Sequence, residues 1–341
     1  MSDSLPLDAL SAHLAREIPF FGTLREARKT TSGQSNPTFV LGTDAAQYVL
    51  RKKPAGNLLR SAHAIDREFR VMRALANSAV PVPQMLYYCE EPDLLGTPFY
   101  VMSFVDGASY SDPRCPRLSV DARARVYDSM NQTLAALHSV DPAALGLEDF
   151  GREGAYFARQ LSRWTEQYRA TQTEELGAME ELIAWLGAHL PDEQGPPRLV
   201  HGDWRIDNLI FSRLDQSLSA VLDWELATLG NPLADLGAQL MQWAMPPGEE
   251  GRGLRGVARR AKGLPEDHAY VEDYARRVGL STPPDMRFPV AFAFFRMAAI
   301  LQGVKKRGLD GNASNPLQAK KLGRMIPVYA QSALDYLEHS A

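Results

Sequence analysis

Hydrophobic periodicity changes once along this chain, and that change limits what it can fold into. Up to about residue 105 the apolar residues alternate or run in short bursts, the spacing of half-buried strands. FVLG (39–42) and QYVLRKK (47–53) flank a Thr-Asp turn, which predicts a hairpin; QMLYYC (84–89) and FYVMSFV (99–105) predict two further strands. One helical pattern interrupts them: in SAHAIDREFRVMRALANS (61–78), Ile65, Phe69, Met72 and Leu75 fall on a single stripe. Beyond Asp106-Gly107 the 3.6-residue period takes over. Val126, Tyr127, Met130, Leu134 and Leu137 make one apolar face, Phe157, Leu161, Trp164 and Tyr168 a second, and Met179, Leu182, Ile183 and Leu186 a third. A pair of short strands returns at RLVHGD (198–203) and AVLDWE (220–225), with NLIF (208–211) between them. Helical texture then resumes through FPVAFAFFRMAAILQGVKKR to a last amphipathic segment over 316–339. The pattern predicts an α+β chain of two lobes, a small β-rich one over 1–105 and a larger helical one over 106–341.

Composition excludes several classes of function. With 341 residues, 45% of them hydrophobic and 23% charged, the chain can bury a substantial core and is not disordered along its length. A net charge of −4 argues against nucleic acid as a partner. Two cysteines, Cys89 and Cys115, make no disulfide framework and suit a reducing compartment. The start, MSDSLPLDALSAHL, lacks a basic segment followed by an apolar run, so no secretory leader is expected. PVAFAFFRMAAIL (289–301) is too short to span a bilayer and carries Arg296 in its middle. The expectation is a soluble, cytoplasmic protein with neither membrane nor nucleic acid as partner.

GRGLRG (251–256) spells G-x-G-x-x-G, the spacing of loops that wrap nucleotide phosphates. Such a loop needs a preceding strand to hold its N–H groups towards the anion. AMPPGEE precedes it, with no strand character, so the stretch is expected to be a flexible surface segment or a flap over a substrate. TSGQSNPTFVLG (31–42) has a single glycine in its turn but leads straight into the first hairpin. There Gly33, Ser35 and Asn36 can offer backbone and side-chain donors to phosphate oxygens.

The chemistry is concentrated in HGDWRIDN (201–208). Asp203 and Asn208 have the separation of the H-x-D…N loop of phosphoryl-transfer enzymes. There the aspartate accepts a hydrogen bond from the attacking hydroxyl, and the asparagine oxygen holds a Mg²⁺ ion on the nucleotide phosphates. VLDWE supplies Asp223 as a second metal ligand; in an extended segment Glu225 would share its face, and hard oxygens suit Mg²⁺. Arg205 can either contact the transferred phosphoryl group or pair on the surface. In YVLRKK, alternation puts Val49, Arg51 and Lys53 on one face, and V-x-R matches A-x-K of V-A-I-K, so Arg51 is expected on the phosphates. Glu68 lies at the edge of the helical stripe, placed to orient that cation. FYVMSFVDG offers backbone to the adenine, with Met102 before the linker and Ser103 to Val105 along it. His201 and Asp235 read as structural, Asp235 bracing the loop from a helix start.

Taken together, GQSNPTF, YVLRKKP, SAHAIDREFRV, GTPFYVM, HGDWRIDNLIF, VLDWELATLGNPLADLG and FRMAAILQGVKKR resemble the aminoglycoside phosphotransferase and choline kinase-like superfamily. Within it they look like the kinase-like domain fused to some acyl-CoA dehydrogenases, and the resemblance covers nearly the whole chain. It implies a bilobal protein-kinase-like fold with ATP in the cleft, Asp203 as catalytic aspartate, Asn208 and Asp223 as Mg²⁺ ligands, and Arg51 with Glu68 as the phosphate-positioning pair. Arginine at 51 replaces the usual lysine, which keeps the charge, adds a planar fork and changes the reach. No A-P-E follows Asp223, and only twelve positions separate it from Asp235, too few for a protein kinase's activation loop. The acceptor is therefore expected to be a small-molecule hydroxyl. The dehydrogenase-associated branch suggests a coenzyme A thioester of a hydroxy acid, whose phosphates Lys305, Lys306 and Arg307 could meet. Aminoglycosides are the competing class, with Glu249 and Glu250 as the nearby acidic pair. A non-catalytic nucleotide-binding homologue is a third reading.

Overall fold

The computed structural model describes residues 5–30, 36–54, 64–91, 93–152, 154–193, 195–248, 251–312 and 315–339. Helix α1 (Leu7–Glu17) leads into a five-stranded antiparallel sheet of β1 (Leu24–Lys29), β2 (Thr38–Thr43), β3 (Gln47–Lys52), β4 (Met85–Cys89) and β5 (Phe99–Ser103), in the order β1-β2-β3-β5-β4. Helix α2 (Ile65–Leu75) connects β3 to β4. Because side chains alternate across a strand, the sheet feeds two cores. Leu41, Leu50, Phe99 and Val101 pack with Leu10 and Leu14 of α1 on the outer face. Tyr100 and Met102 turn the other way, join Val71, Met72 and Leu75 of α2, and continue into the core of the helical lobe.

The second lobe is built from α3 (Val120–Ser139), α4 (Tyr156–Thr171) and α5 (Gly177–Ala188), then α6 (Leu233–Ala244), α7 (Asp267–Arg277), α8 (Arg287–Leu309), α9 (Pro316–Gly323) and α10 (Ile326–His339). Helix α8 is the central strut, packed against α4, α5, α6, α9 and α10. Its 23 residues contain the whole of FPVAFAFFRMAAILQGVKKR, the segment read as helical from the sequence. It is the one described helix long and apolar enough to cross a membrane, with mean hydropathy 1.3, yet 72% of that window is buried within the fold. The terminal segment over 316–339, expected as one helix, is broken into α9 and α10.

Between α5 and α6 lie four short strands: β6 (Arg198–Val200), β7 (Leu209–Phe211), β8 (Leu218–Val221) and β9 (Thr228–Gly230). They pair as β6 with β9 and β7 with β8. Both expected segments, 198–203 and 220–225, contribute a strand, β6 and β8, though not to one ladder, and each leaves extended geometry where the polar residues begin. Gly202 turns left-handed at φ +81°, where an added Cβ would stand 2.5 Å from Leu226 O. Asp223 is also left-handed (φ 64°, ψ 59°) and opens a single-turn 3₁₀ helix at Trp224–Leu226. Trp204 and Trp224, both fully buried, anchor the two loops from below. The linker from β5 is tied to β7 by a two-way bridge between Ala108 and Phe211, at 2.8 and 2.9 Å. That approach needs glycine at 107, where a Cβ would meet the Ile210 side chain and lie 2.6 Å from Phe211 O.

Candidate active site

The loop after β6 is held from behind by one carboxylate. Asp235, in the first turn of α6, accepts from the backbone N–H of His201 at 2.6 Å and of Gly202 at 2.8 Å, and pairs with His138 Nε2 at 3.2 Å. Burial alone would raise the Asp235 carboxyl, but the bonds and charge of His138 and His201 outweigh it and hold the group below the usual range. His201 ties this loop to the next: its Nε2 donates to Leu222 O at 2.9 Å, while Nδ1 accepts from Asp203 N–H at 3.2 Å. Its contacts are those of a structural hydrogen-bonder. Asn208 adds a second tie, its carbonyl accepting from Leu222 N–H at 2.9 Å.

On this frame Asp203 presents its two oxygens in different directions. Oδ2 accepts from Asn208 Nδ2 at 3.0 Å, and Oδ1 lies 3.1 Å from Arg205 Nε. Asn208 Nδ2 also donates to Asp203 O at 2.9 Å, so the amide nitrogen is committed and Oδ1 is its acceptor end.

From the other lobe, Arg51 on β3 reaches across the cleft. Its Nη1 stands 2.9 Å from Glu68 Oε1 on α2, its Nη2 donates to Asp223 Oδ1 at 2.8 Å, and Glu225 Oε2 lies 3.9 Å away. Helix α2 is fixed for this by Arg67, which bonds Phe150 O at 2.6 Å and lies 4.0 Å over the Phe150 ring. Burial disfavours the Arg51 charge, yet Glu68, Tyr100 and Asp223 together hold the guanidinium more firmly protonated than usual. Burial pushes the Glu68 carboxyl up, against the pull of Arg51. Glu225 arrives beside Asp223 by a different route from the one expected. Two residues apart on a strand they would share a face; here the left-handed Asp223 and the 3₁₀ turn bring both to Arg51.

Other expected residues are placed as follows. Gly33 and Ser35 lie outside the described residues, as do Glu249 and Glu250. Asn36 is fully buried, and its carbonyl accepts from Thr38 Oγ1 at 3.0 Å. Met102 is buried in the inner core; Ser103 N–H donates to Gln84 O at 2.9 Å, and Val105 is half-buried in the linker beyond. Arg205, open to two roles from sequence, is half-buried between Asp203 and Asp207 Oδ1, the latter at 3.6 Å. Lys305 and Lys306 are engaged by Glu174 and Asp310, each at 2.5 Å.

GRGLRG is neither a phosphate loop nor a loose surface segment. The N–H groups of residues 252–255 donate to the carbonyls of Gly248, Pro246, Trp243 and Met245 in turn, at 2.8 to 3.0 Å. Gly251 and Gly253 serve this packing: a Cβ there would fall on Pro246 O and Met245 O.

Three residues near Asp203 escaped the sequence reading. Asp207 Oδ2 pairs with Arg252 Nη1 at 3.2 Å, and Arg296 of α8 donates to Gly202 O at 3.0 Å. The charge of Asp207 was visible in HGDWRIDN, but no spacing connects 207 with 252.

A family model described as the phosphotransferase enzyme family matches residues 26–277. The chain belongs to that family. Mouse acyl-CoA dehydrogenase family member 10 is 44% identical over 335 residues, covering 98% of this chain and 31% of the relative. Rat acyl-CoA dehydrogenase family member 11 is 42% identical over 317 residues, covering 90% and 40%. The chain thus spans about a third to two-fifths of the length of these relatives. A crystal structure from Ralstonia eutropha, of a protein provisionally called an aminoglycoside phosphotransferase, superposes with TM-score 0.89 at 41% identity over 98% of this chain and 99% of that one. The GDP complex of aminoglycoside 2'-phosphotransferase-IIIa shares the fold at TM-score 0.62 and 14% identity, over 98% of each chain. The architecture is the two-lobed, kinase-like one of the phosphotransferases, and related members bind nucleotide.

Proposed function

We propose that this protein transfers the γ-phosphoryl group of MgATP to a hydroxyl of a small molecule, with a hydroxyacyl thioester of coenzyme A as the acceptor. The observation that carries the reading is Arg51: one guanidinium from the sheet lobe bonds both Glu68 and Asp223, while Asn208 and Asp203 meet alongside. The resemblance of the neighbouring dehydrogenase family members supports a thioester acceptor.

The donor set fits a magnesium ion. Asp223, Glu225 and the Asn208 oxygen are hard ligands, and Glu68, Asp223 and Glu225 outnumber the one cation they share. When bound there, Mg²⁺ would neutralise charge on the β- and γ-phosphates. The protein's share is placement. Asp203 would accept the acceptor's hydroxyl proton in a hydrogen bond and aim its oxygen at phosphorus. Arg51, held by Glu68, would bind the phosphate chain from the sheet lobe, and Asp235 with His201 keeps Asp203 in position without touching substrate.

The test is Asp203→Asn. Turnover on a hydroxyacyl-CoA should fall by about three orders of magnitude or more, with MgATP still raising the melting temperature. Undiminished transfer by that variant would overturn the assignment.

A further inference from the structure

Charge is divided across the cleft. On the nucleotide side three carboxylates, Glu68, Asp223 and Glu225, surround the single guanidinium of Arg51. Around the loop that carries Asp203, among the described residues, Arg205 lies between Asp203 and Asp207, Arg252 pairs with Asp207, and Arg296 donates to Gly202 O. Burial pushes the Tyr329 hydroxyl of α10 up, against the weaker pull of Arg252 and Arg205. Arg252 itself is held in the left-handed region at φ 46°, a strained state for a residue with a Cβ, and the carbonyl bonds of the GRGLRG turn hold it there. It uses Nη1 on Asp207, and its side chain remains 40% exposed beside the catalytic loop.

We infer that the GRGLRG turn exists to present Arg252 as an acceptor-recognition residue, selecting hydroxyl compounds that carry a carbonyl or carboxylate oxygen near the reacting hydroxyl. This rests on the proposed transfer reaction and adds its specificity. Asp203 gives Oδ2 to Asn208 and Oδ1 to Arg205, so an acceptor hydroxyl at Asp203 has guanidinium groups on the side away from the phosphates. A planar fork donates well to a carbonyl or carboxylate oxygen. The guanidinium groups of Arg205 and Arg252 repel a polycationic aminoglycoside, whose ammonium groups need carboxylates.

The experiment uses the full chain, AMP-PNP with Mg²⁺ for binding, and ATP with β- and γ-hydroxybutyryl-CoA and kanamycin for transfer. Arg252→Gln should raise KM for the hydroxyacyl-CoA by about ten- to a hundredfold, the loss of one charge-assisted hydrogen bond, while kcat moves less. Arg252→Lys should recover part of that loss, and the AMP-PNP midpoint should be unchanged. Arg255→Gln separates recognition from scaffolding: Arg255 braces the same turn through Ala244 O and Ser332 Oγ and should leave KM within about twofold. An unchanged KM in Arg252→Gln, or an equal rise in Arg255→Gln, overturns the inference and leaves the transfer reaction standing. A parent enzyme that binds nucleotide but transfers to kanamycin, or to none of these acceptors, overturns both.

Discussion

Arg51 is the joint between the lobes, and replacing it by lysine isolates what its fork contributes. The two ends of its guanidinium stand 2.9 Å from Glu68 and 2.8 Å from Asp223, with the side chain 10% exposed. One ammonium can take either partner well, not both in this geometry. Arg51→Lys therefore forfeits one charge-assisted bond, about 1.5–3 kcal/mol, and releases either α2 or the loop that carries Asp223. Arg51→Met goes further: it leaves Glu68 buried without a counter-charge, a loss of about 3–5 kcal/mol unless the carboxyl takes up a proton. The assay is urea unfolding of the parent, Arg51→Met, Glu68→Gln and the double variant, each with and without MgATP. Contact across a buried pair should give a coupling of at least about 1 kcal/mol, and Glu68→Gln should recover much of the Arg51→Met loss. Additive losses with no such recovery would refute the argument that Glu68 is held by Arg51. Unaltered MgATP affinity in Arg51→Lys would refute its place on the phosphates.

Other outcomes follow from the same contacts. Gly107→Ala should lower stability by about 1–3 kcal/mol in thermal unfolding, because its Cβ meets Ile210 and Phe211 where the linker crosses β7. Asp235→Asn should cost about 1–3 kcal/mol at neutral pH, since an amide cannot accept at both ends from His201, Gly202 and His138. The sign of its pH dependence is fixed by a folded-state pKa below the ordinary 3.8: the contribution is present above that value and lost as pH falls through the folded pKa. Equilibrium unfolding from pH 7 down to about 3 should therefore show a shallower acid slope in Asp235→Asn than in the parent.

What could be read from the sequence was what local geometry encodes. Strand alternation put Arg51 on the cleft face of β3, and the helical stripe of α2 brought Glu68 beside it. The separation between Asp203 and Asn208 lies within one loop, so it survived folding as the contact of Oδ2 with Nδ2. What was hidden depended on backbone that turns left-handed. VLDWE looks like a strand, yet Asp223 at φ 64° ends it, and Glu225 reaches Arg51 around a 3₁₀ turn. GRGLRG matched a phosphate-loop pattern, while Gly251 and Gly253 answer to close packing against Pro246 and Met245, just past the end of α6. Arg252 and Asp207 meet across 45 positions, a pairing that no periodicity announces.

The central claim is that nucleotide and metal gather where Arg51, Asn208 and Asp223 meet. A crystal of the protein with AMP-PNP and Mn²⁺, imaged by anomalous scattering from manganese, tests it most directly. The account predicts a peak coordinated by Asp223 and by Asn208 Oδ1, with the γ-phosphate facing Asp203. Manganese held elsewhere, or carboxylates of 203 and 223 facing separate ligands, would contradict it.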